Sequence, residues 1–254
     1  MRDIQKYTSD YDCMDDPANR FETEYQVVYR RKKVLEELKR YQHDTILEVG
    51  CGLDSYVNYI TEFKKAVVVE PSPKFAEKAK NELDKDGRVT VICSTLEKAV
   101  KMLEHQTFDF IISGLLNEIE EPVDFLKSIK RLCKNCHTVI HVNVANADSV
   151  HRLWAVEMGL IKNPCEASER NKKFQQTTVF QMESLKQTIL ESAEEGAIEI
   201  LDMGSYFLKP FSHKQMMQCI EQGILMETLI DGLDKMVKYF PEYGSEIYIN
   251  YRMK

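Results

Sequence analysis

Five short apolar runs recur between residues 45 and 144: Thr45–Val49, Ala66–Val69, Val89–Cys93, Phe108–Ile112 and Val139–Val144. Each is rich in Val and Ile, and each is separated from the next by a spacer with the length and content of a helix. Pro73–Leu83 (PKFAEKAKNEL) shows the rule, with Phe75, Ala79 and Leu83 four apart on one helical face. Near-continuous β-branched runs alternating with helices predict parallel strands covered on both faces. The expected fold is a doubly wound α/β domain with seven strands.

The ends depart from this alternation. A long helix is expected from about Glu22 to Tyr41, with Val27, Val28, Val34, Leu35 and Leu38 available for its buried face. After the fifth run, residues 148–195 separate it from the next strand candidate, Ile198–Leu201, a span too long for a plain crossover and expected to form a lid or wall. The last candidate, Glu246–Tyr251, alternates strictly, as suits an antiparallel strand with unequal faces. The chain therefore divides into a helical cover (1–43), a ligand-binding half (44–147), an insertion (148–195) and C-terminal strands and helices (196–254), all within one domain.

Composition narrows the class. The 254 residues are 43% hydrophobic and 30% charged, enough for a sizeable core and unlike a disordered chain. No apolar run nears the roughly 20 residues of a membrane helix, and the first residues lack the apolar stretch of a signal peptide, so a cytoplasmic protein without membrane contact is expected. The formal net charge of −7 argues against a non-specific grip on nucleic acid. The basic run Arg30-Arg31-Lys32-Lys33 reads as a solvated helix face, or as an anion contact with Arg20. The seven cysteines have no framework spacing, and Cys133-Lys134-Asn135-Cys136-His137, although it matches a haem-attachment pattern, falls at a helix-to-strand turn. No metal site is expected.

Chemistry concentrates at the ends of the runs. In an open parallel sheet, ligands bind beyond the carboxyl ends of the strands, at the switch point. The first run ends in Glu48-Val49-Gly50-Cys51-Gly52-Leu53-Asp54-Ser55, and the second ends in Glu70, a carboxylate placed to accept ribose hydroxyls. A dinucleotide fingerprint would need glycine where Ser55 stands, and Glu48 would repel a pyrophosphate. The segments LEVGCGLD, VVVEPS, ICSTLEKA and FDFIISGLLNEIEEP, in this order over about residues 44–145, resemble the class I S-adenosylmethionine-dependent methyltransferases. The third glycine of that motif is Asp54 here.

That resemblance implies S-adenosylmethionine as the cofactor. Gly50, Cys51 and Gly52 would line its methionine moiety and Glu48 would anchor the amino group. Glu70 would hold the ribose and Pro71 would pack on adenine. Ser94, Thr95 and Leu96 would flank the adenine edge, with Ser113, Gly114 and Leu115 beneath the sulfonium. Read from the residues alone, each is equally a turn glycine, a solvated carboxylate or a helix cap.

A hydroxyl acceptor would gain from a general base over the fourth and fifth strands. Candidates are His151, His141 and Glu118, with Asn143, Asn146 and Arg152 as acceptor contacts; a His beside an Arg suits proton removal plus a hold on phosphate or carboxylate. His141 is equally a core histidine, His151 a surface residue at a helix start and Glu118 a loop carboxylate. Tyr25, Tyr29, Trp154, Tyr206 and Phe211 offer stacking surfaces. The turn Ser113-Gly114-Leu115-Leu116 lacks the Pro-Pro-aromatic turn of methyltransferases that act on nucleic-acid amino groups. NVANADSVHRLWAVEMGLI and GSYFLKPFSHKQM are similar to methyltransferases of bacterial surface-polysaccharide and capsule synthesis, which implies a small-molecule acceptor: a sugar, sugar phosphate, nucleotide-linked or phosphoramidate intermediate. Two other readings keep the fold: an NAD-dependent oxidoreductase, and a non-catalytic cofactor-binding scaffold subunit. The oligomeric state is not readable.

Overall fold

The computed structural model describes residues 2–254 and contains one seven-stranded sheet. Its strands are β1 (Thr45–Val49), β2 (Lys65–Glu70), β3 (Val89–Cys93), β4 (Phe110–Ser113), β5 (Val139–Ala145), β6 (Ile198–Tyr206) and β7 (Glu246–Met253). They lie in the order β3-β2-β1-β4-β5-β7-β6. β1 to β5 run parallel, and β7 runs antiparallel to both β5 and β6. From β1 the chain winds outward to β2 and β3, then returns to β4 on the other side of β1. The switch point, and with it the crevice, therefore lies at the carboxyl ends of β1 and β4.

Alternation along the strands divides the core. Leu47, Val49, Ile111, Ile140 and Val142 face α5 (Leu96–Met102), α6 (Pro122–Lys130) and α9 (Met182–Glu191). Ile46, Ala66, Val68, Phe110 and Ile112 face α3 (Val27–Leu38) and α4 (Pro73–Leu83). α4 forms where its sequence predicts: Ser72 caps it, Pro73 fits the first turn, and Phe75, Ala76, Ala79 and Leu83 are buried.

The cover is longer than the apolar pattern predicts. α1 (Ile4–Tyr11) precedes α2 (Pro17–Phe21), which runs through a π-turn at Glu22–Gln26 into α3. Val34 and Leu38 are buried as expected, whereas Val28 is exposed, because six residues of regular helix turn it about 120° away from Val34. α2 packs on α10 (His213–Glu221), and a third apolar cluster joins Phe21 and Tyr29 to Tyr206, Phe207 and Met216. The basic run is a solvated face only at Lys32, which is exposed and pairs with Asp234; Arg30 pairs with Glu22 and Glu246, Arg31 with Asp54, and Lys33 with Glu36 and Glu37.

Within residues 148–195, α9 joins the layer beside α6, so the added wall is α7 (Val150–Glu157), α8 (Glu169–Lys173) and their loops. α11 (Glu227–Lys235) follows α10. Cys133 and Cys136 lie in the turn before β5, and all seven cysteines are free. Among the described residues no helix is long and apolar enough to cross a membrane, and no cluster of metal-ligating side chains occurs.

Candidate active site

A cavity of about 250 Å³ opens at the carboxyl ends of β1, β2, β4 and β5. It is bounded on one side by the Gly50–Asp54 loop, Glu70, Pro71, Gly114 and Leu115, and on the other by His151, Arg170, Lys209 and His213. Gly50 adopts φ +80° and donates its N–H to the Val69 carbonyl at 2.8 Å. A Cβ there would overlap Leu115, so the turn at the switch point admits glycine alone. Gly52, at φ +56°, has open space where a Cβ would stand. Glu70 braces this loop by accepting from Gly52 N (3.0 Å) and Ser72 N (2.8 Å). Burial raises its pKa, and these two donors oppose the rise.

Of the residues expected at the cofactor, Gly50, Cys51, Gly52, Asp54, Glu70, Pro71, Gly114 and Leu115 line the cavity. Asp54 is engaged by Arg31 at 2.5 Å and by Tyr59 Oη at 2.8 Å. Glu48 lies behind the loop instead. Its carboxylate accepts from Ser55 Oγ (2.5 Å) and Tyr56 N (3.1 Å), and burial pushes its pKa up to about 7. Its position inside the strand, one residue short of the strand end, turns it away from the crevice and makes it a loop brace. Ser94, Thr95 and Leu96 are at the neighbouring strand end, outside the cavity: Thr95 starts α5, and Leu96 is buried in the core. Ser113 is fully buried at the end of β4, its Oγ without a partner and outside the cavity.

The acceptor-side candidates separate clearly. His141 is fully buried below the cavity, on the α3 face, where Nδ1 donates to Asn250 Oδ1 at 2.7 Å. Asn250 in turn donates to Glu37 at 2.8 Å, and burial lowers the His141 pKa to about 4. It is a core histidine, because its strand position is two residues short of Asn143, which does line the cavity. Asn143 Oδ1 is buried without a partner. Asn146 reaches the rim but spends its amide on the Glu242 and Gly244 carbonyls (2.9 and 2.8 Å). Arg152 likewise spends its guanidinium on the Pro164 carbonyl (2.7 Å), the Glu166 carbonyl (2.5 Å) and Asn171 Oδ1 (3.3 Å), clamping the insertion loop. Glu118 lines the cavity and pairs closely with Arg2. His151 also lines it, with Nδ1 buried and unpartnered. Burial, with Lys209, His213 and Arg152 nearby, holds its pKa well below the ordinary histidine value.

Several lining residues escape a local reading. α1 roofs the cavity: Tyr7 and Tyr11 pack edge-on against Phe75 and Phe174 with centroids 5.8–6.4 Å apart, and Thr8 Oγ1 donates to Ser72 Oγ at 2.8 Å. Tyr7 and Tyr11 are four apart after the capping Asp3, a helical signal present in the sequence. The expected stacking aromatics sit elsewhere: Tyr29 stacks on Phe207 at 4.4 Å, Tyr25 on Phe21, and Trp154 is half exposed beside Phe211. The π-turn brings Glu22, Gln26 and Arg30 to the cavity wall. There Arg30 bridges Glu22 (2.8 Å) and Glu246 (Nε 2.8 Å), and Glu246 also accepts from Gln26 (3.1 Å) and Tyr206.

Residues 47–140 match the model of a methyltransferase domain family. No curated protein matches the sequence. Among solved structures, the plantazolicin methyltransferase BamL, in complex with a triazolic desmethylPZN analogue and S-adenosylhomocysteine, is similar with a TM-score of 0.59 and 12% identity, over 99% of this chain and 97% of that one. The N-methyltransferase NodS from Bradyrhizobium japonicum WM9, in complex with S-adenosylhomocysteine, gives 0.53 and 11%, over 92% and 87%. A possible histamine N-methyltransferase from Thermotoga maritima gives 0.56 and 17%, over 92% and 97%. At such identities the likeness is one of fold. Residues 47–140 are thus similar to a methyltransferase domain, and nearly the whole chain shares the Rossmann-like fold of these methyltransferases.

Proposed function

We propose that this chain is an S-adenosylmethionine-dependent methyltransferase that methylates an oxygen of a small, polar acceptor: a sugar, sugar phosphate or nucleotide-linked intermediate of surface polysaccharide. The observation that carries the reading is the continuity of the cavity, from the glycine loop and Glu70 to His151, whose buried Nδ1 has no partner. The residues present fit the cofactor. The open face of Gly52 admits close backbone approach, Glu70 offers a carboxylate to ribose hydroxyls, and the orphaned Asn143 Oδ1 offers an acceptor to an ammonium group. When bound, S-adenosylmethionine supplies an electrophilic methyl group on a sulfonium. The roof of Tyr7 and Tyr11 excludes water, and positioning does most of the remaining work.

His151 is the proposed base. It is held neutral by burial and nearby cations, and Nδ1 is free to take the acceptor hydroxyl proton. Because its pKa is lowered, the base form persists into more acidic solution than an ordinary histidine allows. At saturating acceptor, kcat should therefore stay flat between about pH 6 and pH 8; an acid limb centred near the unperturbed value of about 6.5 would count against His151.

Calorimetric titration with S-adenosylhomocysteine, with NAD in parallel, tests the cofactor. Saturable binding of the first alone is expected; preference for NAD would overturn the reading. Glu70→Ala should weaken S-adenosylhomocysteine binding by roughly 1–3 kcal/mol, the scale of a lost buried hydrogen bond to a charged group. Unchanged affinity in that variant would remove Glu70 from the ribose.

A further inference from the structure

Lys209 is only 1% exposed, yet it lines the cavity. The turn that delivers it is strained: Phe207, fully buried at the end of β6, adopts φ +55°, a left-handed conformation rare for a bulky residue. Such a conformation persists because the Tyr29 ring stacks on it and Ser245 N donates to its carbonyl at 2.8 Å.

The ammonium so placed has no carboxylate in ion-pair contact among the described residues; its hydrogen bonds go to the His213 ring, with Nδ1 at 3.2 Å. Lys209 can only donate, so His213 Nδ1 accepts, and Nε2–H is left to donate to Glu22 at 2.9 Å. The nearest acids are already committed, Glu22 to Arg30 and His213, Glu246 to Arg30, Tyr206 and Gln26. A buried cation without a counter-ion is costly. The burial shows in the Lys209 pKa, lowered to about 7.

A second cation stands at the same end. Arg170 lines the cavity, with its guanidinium over the Phe174 ring and one N–H on Asn19 Oδ1 at 3.1 Å, and its charge bears on both Lys209 and His213. His151 Nδ1, buried and unpartnered, faces the same group of charges.

We propose that Lys209 and Arg170 form a seat for an anionic group of the methyl acceptor, a carboxylate or a phosphate, which is held there beside His151. This rests on the acceptor side of the reading above and moves the anion contact from Arg152, which is spent on backbone carbonyls, to residues with donors to spare. An ammonium has three N–H bonds, and only the one to His213 is used. A bound anion supplies both the missing partners and the missing counter-ion.

The test is titration of the S-adenosylhomocysteine-loaded protein with inorganic phosphate and, separately, with acetate. Saturable binding of at least one is expected, weakened about tenfold or more by Lys209→Met and about fivefold by Arg170→Gln, with S-adenosylhomocysteine affinity held within about twofold. Phosphate binding points to a phosphorylated acceptor and acetate binding to a carboxylic acid. Binding of neither anion, or undiminished binding in both variants, overturns the seat. Should Lys209→Met fail to fold, Arg170→Gln decides alone. If S-adenosylhomocysteine does not bind, the titration is run on the unloaded protein: Lys209-dependent phosphate binding there would leave the seat standing while the cofactor reading falls.

Discussion

His151→Ala is expected to cut turnover by roughly 10²–10⁴ while leaving S-adenosylhomocysteine affinity within about twofold, the size and selectivity of a lost general base. The geometry singles out this histidine. A base needs a lone pair that faces the acceptor and is not already taken. His141 has no access to the cavity, and its Nδ1 is bound to Asn250. Glu118 has access, but its carboxylate is paired with Arg2. His151 lines the cavity, and its Nδ1 has no partner. The measurement is single-turnover methyl transfer from labelled S-adenosylmethionine, with Glu118→Gln beside it. Full activity in His151→Ala with a collapse in Glu118→Gln would transfer the role to Glu118. Full activity in both would mean that positioning alone drives transfer.

Arg30→Ala should be the most destabilising single change in the cavity wall, by about 3–5 kcal/mol, because it strands two buried carboxylates around one removed cation. Arg30 bridges Glu22 on the π-turn and Glu246 at the start of β7, so it ties the helical cover to the sheet. The Glu22 carboxyl is held well below its usual range, with Arg30 the principal stabiliser of its charge against burial. Arg30→Lys should recover only part of the loss, since a point ammonium cannot span both carboxylates as the guanidinium fork does. Denaturant midpoints at constant slope would measure it. A loss under about 1 kcal/mol would show that the network relaxes through water and that the cover is held by its apolar cluster instead.

The insertion and the cover divide the labour of closing the site. Arg152 and the Ser168 capping box hold the insertion loop in place, while α1 reaches across through Thr8–Ser72, Arg2–Glu118 and the Asp3–Gln175 contacts. The roof thus touches β2's carboxyl end, β4's loop and the insertion at once. Its sequence, IQKYTSDY, is mostly polar, and the packing face is marked only by the narrow stripe of Tyr7 and Tyr11 beside the buried Thr8.

Local sequence by itself determined the sheet and the glycine-loop end of the cavity. Buried parallel strands demand continuous apolar runs, and the tight turn at the switch point demands glycine at position 50, so both leave a mark within a few residues. The same locality explains why Glu70, which closes its strand, was legible at the cavity wall while Glu48, only two residues before Gly50, was not distinguishable from a wall residue: side chains alternate across a strand, and which face meets the crevice depends on the neighbouring layers. Only the tertiary structure decided the opposite end of the cavity. Glu22, Arg30, Lys209, His213 and Glu246 come from opposite ends of the chain, and no spacing links them. Their pairing follows from the order of β7 and β6 and from the packing of α2 on α10. Charges meet there because the fold brings their backbones together, and periodicity carries no information about such long-range contacts.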